Sequence, residues 1–371
     1  MTISVAERAE LAAAVRDLLH DECTEQDVRR VMATDDGFDR ELWRKLAAQG
    51  VAGLVVGSDY GGVGLGALEL EAVAEETGAA LLPAPFLSSA VLASALIDVA
   101  GTEADKHRLL PSLVAGTSVA TVALTGARGT WAPEGVAVRA TPENASAGPD
   151  YTLSGNAHYV LHGQVADVIL VVARIDGTFG IFQVEAGADG FERTAATVFD
   201  PTVPLSTYTF DATPAQRLGT AGWDAVQRAL DLALVALAGE QVGGTRRIFD
   251  ITVEYLKTRI QFGRPIGSFQ ALKHMAADLL LKVESATSAA QHAAAELAAG
   301  SEKSSGAIAL AGFTCAEAFH TTAMSAIQMH GGIGFTWEHP AHLFLRRART
   351  GLQLFGGSGM HRERYLSSKG A

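Results

Sequence analysis

The chain has 371 residues, 48% hydrophobic and 19% charged, enough apolar material for one large globular unit or two to three packed domains. Its 29 basic and 41 acidic residues leave a net charge of −12, which speaks against a nucleic-acid partner, because phosphate neutralisation needs clustered Lys and Arg. No apolar stretch approaches the ~20 uncharged residues of a membrane span, and Glu7, Arg8 and Glu10 in the first stretch speak against a signal peptide. Cys23 and Cys315 lie too far apart in sequence for a metal spacing or a disulfide framework. Buried free thiols in a reducing cytoplasm are the expectation.

Helical periodicity dominates the first ~120 residues. Leu42, Trp43, Leu46 and Ala47 share one face, and Gly50 suits a left-handed helix end. Leu68, Leu70, Val73 and Ala74 mark a second helix ending at Gly78, and Val91–Val99 a third, beyond the breaks at Pro83 and Pro85. From about 119 to 215 the texture becomes short β-branched and aromatic runs, with Asp176-Gly177 as a hairpin signal. An antiparallel β domain is expected there. Long helices then return: one over Trp223–Lys257, one opened by Ser268 as N-cap, one over Ala307–His330 and one after Pro340. The reading is an α+β protein with a helical domain at 1–118, a β domain at 119–215 and a four-helix bundle at 216–371.

Several patterns are decoys. Gly62–Ala67 fits a dinucleotide fingerprint but lacks the βαβ context. The His158/His162 and His339/His342 pairs lack a ligand set, and Gly357-Ser358-Gly359 lacks the strand of a nucleophile elbow. Two segments carry more. RIQFGRPIGSFQ, residues 259–270, offers a guanidinium, amides and an aromatic face at an inter-helix corner, groups suited to a pyrophosphate and a stacked ring. QMHGGIGF, residues 328–335, ends a helix with glycines that allow close backbone approach. On chemistry alone, a packed bundle corner explains both equally well.

FGRPIGSFQ and QMHGGIGF, with Gly61-Gly62-Val63-Gly64 and Glu75-Glu76-Thr77-Gly78 in the N-terminal stretch Leu42–Phe86, resemble the acyl-CoA dehydrogenase family. The resemblance runs from end to end. It implies a helical domain, a β domain and a four-helix bundle in that order, and FAD as cofactor. It also implies a carboxylate base that removes the α-proton of an acyl-CoA while the β-hydrogen leaves as hydride.

The family's two usual base positions carry no carboxylate here. The loop position falls on Phe355 or Gly356, and no Asp or Glu occurs from His339 to Arg362. The helix position falls near Ala233, beside Leu234, and Glu240 lies two turns on, ~10 Å along the helix. The family's own-subunit flavin contacts are reduced as well. The Thr-Glu-Pro-x-x-Gly-Ser loop reads Thr125–Thr130 without the acid and proline, and the Trp strand reads Tyr159-Val160-Leu161, where Tyr159 could still stack. The contacts that reach across to a neighbour's flavin are kept as Arg259, Phe262, Gln270, Gln328, Gly331 and Gly332.

The resemblance therefore extends to the non-catalytic subunit of actinobacterial α2β2 acyl-CoA dehydrogenases of sterol side-chain degradation. It implies a homologous catalytic partner that binds most of the acyl-CoA, one FAD per αβ pair, and an electron-transfer flavoprotein-type acceptor. A flavin-free scaffold and a homomeric flavoenzyme of different chemistry are the alternatives. Joint retention of Arg259, Gln270 and Gln328 weighs against the scaffold.

Overall fold

A computed structural model describes residues 3–143 and 151–370 of the chain. Contacts divide them into two compact units, one gathering residues 30–66 and 83–233 and the other residues 3–29, 67–82 and 234–371. The N-terminal helices are shared between the two, so chain order and packing do not coincide.

In the first unit, α3 (Arg40–Ala48) is capped by Asp39, whose carboxylate accepts from the Glu41 and Leu42 amides, and it buries Leu42, Trp43 and Leu46. Gly50 follows at φ 84°, as the sequence suggests. The predicted helix near Val91 is longer and wider than expected. A fully buried π-helical segment, Phe86–Ala93, runs into α5 (Ser94–Ala100). After α6 (Glu103–Val114), seven strands form one sheet: β1 (Ala120–Ala123), β2 (Arg139–Pro142), β3 (Tyr151–Leu161), β4 (Val168–Ile175), β5 (Thr178–Val184), β6 (Phe191–Ala195) and β7 (Leu205–Arg217). The order is β1-β4-β2-β3-β7-β5, with β6 on β7 and β5 also paired to β4. The pairings are antiparallel except that β1, and one residue pair of β2, run parallel to β4. A parallel pair needs a crossover, and β2 and β3 supply it. Asp176 and Gly177 both take positive φ, 46° and 77°, the two-residue turn that matches strand twist. Leu153, Val171, Phe182, Tyr208 and Phe210 lie in the core beneath.

The second unit holds α1 (Val5–Glu22), α4 (Ala67–Ala79), most of α7 (Trp223–Thr258), α8 (Gln270–Ala298), α9 (Ser304–His330), α10 (Ala341–Gly351) and α11 (Ser358–Ser368). Together with α2 (Glu25–Val31), the described residues contain eleven α-helices. Where α4 crosses α7, side chains vanish. A Cβ on Gly78 would sit 1.9 Å from the Glu240 carbonyl oxygen, and one on Gly243 would sit 1.7 Å from that of Glu75. Ser268 does not cap α8. It closes a short 3-10 turn, Ile266–Ser268, its buried Oγ lacks a hydrogen-bond partner, and Phe269 holds the cap position without a side-chain bond. The turn diverts the backbone one residue before the helix starts.

Candidate cofactor corner

The α7 helix ends at Thr258, where the Arg259 amide still donates to the Tyr255 carbonyl at 2.9 Å. A two-strand hairpin follows, β8 (Ile260–Gln261) with β9 (Arg264–Pro265), turning through Phe262 at φ 55° and Gly263 at φ 75°. The Ile266 amide donates back to the Arg259 carbonyl at 2.8 Å and closes the corner. Phe262 stands out with 90% of its surface exposed, while Arg264 lies 4.1 Å over the Phe269 ring.

The end of α9 joins this corner. Leu256, Ile266, Leu272, Met275, Leu279 and Met329 form one apolar cluster that ties the α7 and α9 ends to the start of α8. Beside Met329, the Tyr255 and His330 rings contact each other at 4.5 Å between centroids with planes 31° apart, and His330 meets His339 at 4.2 Å with planes 51° apart. Gly331 leaves the helix at φ 65°, ψ −142°, a conformation natural to glycine. Nothing lies within 4 Å of where a Cβ on Gly331 or Gly332 would be.

The structure thus places Arg259, Phe262, Gln270, Gln328, Gly331 and Gly332 on three neighbouring helix ends. Arg259, Gln270 and Gln328 are exposed and make no side-chain hydrogen bond among the described residues. A free guanidinium, two free amides, an exposed ring and uncovered glycine backbone fit an anionic dinucleotide laid across the corner.

The other predicted flavin segment, in the first unit, is built differently. The Gly126 amide donates to Gly135, and Thr125 Oγ1 donates to the His158 carbonyl at 2.7 Å. Tyr159, at φ 57°, packs its ring against Gly129 and donates its hydroxyl to the Ala127 carbonyl at 3.2 Å. Its ring is already engaged with the loop.

Ala233 and Leu234 are buried, and so are Phe355 and Gly356, which turn at φ 57° and 114°. Glu240 is committed elsewhere: its Oε1 accepts from Arg347 Nη1 at 2.9 Å, with both side chains buried. Arg347 Nη2 donates to the Leu81 and Leu82 carbonyls, each at 3.2 Å, capping the chain that leaves α4.

The sequence reading missed Arg347, His330 and a buried acid pair on α4. Burial, then the neighbouring Glu75, pushes the Glu71 carboxyl up to about 9, whereas Arg246, 2.9 Å from Glu75, opposes the rise there. The legible signal was the i, i+4 spacing of two glutamates on a helix that otherwise buries its apolar face. Among the described residues no cluster of three or more His, Cys, Asp or Glu could hold a metal, and no helix is long and apolar enough to cross a membrane.

Residues 6–117 match the N-terminal domain of acyl-CoA dehydrogenases, and residues 220–368 the C-terminal domain. The chain belongs to the acyl-CoA dehydrogenase family. This family member is 33% identical to acyl-CoA dehydrogenase IpdE2 of Mycolicibacterium smegmatis, over 94% of each chain. It is 34% identical to acyl-CoA dehydrogenase FadE27 of Mycobacterium tuberculosis, over 98% of this chain and 97% of that one. Among solved structures it resembles the ChsE4–ChsE5 complex from Mycobacterium tuberculosis, with a TM-score of 0.90, 30% identity and coverage of 99% and 98%. It also resembles the Tcur3481–Tcur3483 steroid ACAD, with a TM-score of 0.88, 30% identity and 98% coverage of each chain. Membership brings FAD-dependent oxidoreductase chemistry as the family's property, and the donor set at the corner is compatible with that cofactor.

Proposed function

We propose that this chain is the non-catalytic subunit of a heteromeric, FAD-dependent acyl-CoA dehydrogenase acting on a steroid side-chain CoA thioester in the cytoplasm. One observation carries the reading. The two base positions hold no carboxylate, only Ala233 and the Phe355-Gly356 turn, and Glu240, two turns along α7 from Ala233, is buried in a pair with Arg347. The two similar complexes, each named for two different proteins, support a homologous partner in an α2β2 assembly. The steroid character of one of them supports the substrate class.

When bound, FAD supplies the hydride acceptor for α,β-dehydrogenation of the thioester. This chain's share is binding. Arg259 would hold the pyrophosphate by a charge-assisted fork, Gln270 and Gln328 would donate from their amides, and Phe262 would offer its ring as a stacking face. Gly331 and Gly332 let their backbone approach without side chains in the way. The base, the flavin ring contacts and most of the acyl-CoA site come from the partner, and an electron-transfer flavoprotein-type acceptor takes the electrons. The test is to purify the chain alone and together with a base-carrying homologue, and to count flavins. One FAD per pair of unlike chains is expected. One FAD on every chain overturns the reading.

A further inference from the structure

His330 sits directly before Gly331, and its ring is held on three sides. Tyr255 and His339 lie tilted against it, with ring centroids 4.5 Å and 4.2 Å away. Nδ1 lies 2.7 Å from the Ala326 carbonyl, so Nδ1 carries the proton and Nε2 the lone pair. Only 4% of the residue is exposed, and Nε2 is buried without a hydrogen-bond partner. A proton added at Nε2 would create a buried N–H with no acceptor and a charge with no counterion in contact.

The neighbours make that charge more costly. The α8 helix contributes apolar contacts from Leu272, Met275 and Leu279 to the cluster under Met329. The Tyr255 phenol and the exposed Arg259 end α7. His339 and His342 face the stack from the 339–342 segment, and Arg346 lies over Trp337 beside His342. From α2, Arg29 holds Glu25 at 2.8 Å, and Glu338, directly before His339, is exposed to solvent. Burial lowers the proton affinity of all three imidazoles, and the positive neighbours lower that of His339 and His342 further.

We propose that His330 is a positioning residue for the cofactor corner. In its neutral form it wedges the Gln328–Gly332 end of α9 against Tyr255, one turn before Arg259, and protonation releases that wedge and with it the bound dinucleotide. The inference rests on the proposed FAD-lending role and specifies what holds the corner in its binding shape.

The test uses the assembled complex with its partner and titrates FAD between about pH 5 and 7, the range where histidine changes charge. In wild type the dissociation constant rises about tenfold per pH unit once His330 takes up its proton. In His330→Phe, which keeps a ring in the stack, and His330→Asn, which keeps a donor for Ala326, that component is lost and the profile flattens by one proton. Superimposable wild-type and variant profiles overturn the proposal. Should neither variant assemble, titration calorimetry of the wild-type complex in two buffers of different ionisation enthalpy decides it. Proton release on FAD binding at the acid end supports the wedge, and its absence overturns it. Arg259→Ala separates the layers. FAD binding that responds to Arg259→Ala but keeps its pH profile in the His330 variants sinks only the wedge. Binding indifferent to Arg259→Ala sinks the FAD-lending role and the wedge together.

Discussion

At the ends of α7, α8 and α9, Arg259, Gln270 and Gln328 hold their polar groups out with no side-chain hydrogen bond among the described residues. At the 125–130 loop Thr125 and Tyr159 bond inward instead, to His158 and Ala127, and Arg128 alone points its charge out. On the proposed reading both segments correspond to flavin contacts, yet they differ in what remains available. A donor that is exposed and unspent can be recruited by a ligand at little cost. A phenol already hydrogen-bonded with its ring seated on Gly129 must first give up those contacts. That difference is what the proposed function turns on: open donors at the corner for a neighbour's cofactor, and fewer spare contacts at the loop for a cofactor of its own.

The contrast breaks most visibly in turnover. The isolated chain is expected to dehydrogenate acyl-CoA thioesters at least about 10²–10⁴-fold more slowly than the complex, the usual loss when a positioned base is missing. A steady-state assay of both preparations measures it, and comparable turnover by the lone chain would remove the asymmetry altogether.

The next effect concerns the middle of α7, well away from the corner. Arg347→Met strands the Glu240 carboxylate in the interior, and chemical denaturation should show about 3–5 kcal/mol of lost stability. The double variant Arg347→Met/Glu240→Leu should recover most of that, because the uncompensated charge is gone. If the single variant is as stable as wild type, the pair is not what fixes Glu240.

Arg259→Ala sharpens the comparison directly. Losing a charge-assisted contact worth roughly 1.5–3 kcal/mol weakens FAD binding by the complex about 10- to 150-fold. Arg259→Lys should restore part of this, since a point charge cannot reproduce the fork. Tyr159→Ala, on the closed segment, should leave FAD affinity unchanged in the same titration. Equal losses for Arg259→Ala and Tyr159→Ala would erase the distinction between the two segments.

A separate effect is the pH slope set by Glu71. Its carboxyl is raised in the folded chain from the ordinary 4.5 to about 9. Its stabilising contribution is therefore complete below about 4.5 and is lost as pH rises toward 9, because the unfolded chain ionises first. Glu71→Gln should flatten that part of the stability profile and gain relative to wild type at alkaline pH. Denaturant midpoints at several pH values check it, and parallel profiles would deny Glu71 the effect.

Much of this was legible because the signals were local. Asp176-Gly177 announced its turn, since few dipeptides tolerate two consecutive positive φ angles, and Gly50 marked a helix end for the same reason. Arg259 and Gln328 were legible through motif resemblance, but their convergence depends on Leu256, Leu279 and Met329, which meet only in three dimensions. The parallel pairing of β1 with β4 was hidden, because alternation within a strand says nothing of its partner's direction. Ser268 misled because a good capping residue lies one position inside a 3-10 turn. Arg347 and Glu240 are separated by 107 residues, and no periodicity links them.

The turn at Gly356 bears on how such a division of labour persists. Its φ of 114° is one that side chains rarely adopt, and a Cβ there would come 1.9 Å from the Met360 methyl. On the non-catalytic reading, a glutamate cannot return to this loop by a single exchange. Met360's flexible end can swing aside, but the left-handed backbone strains any side chain placed there. At the other position, Ala233 has no exposed surface, so a longer side chain meets packed neighbours. On the same reading, backbone strain at one position and packing at the other both work against restoring the base within this chain, which keeps it reliant on its partner.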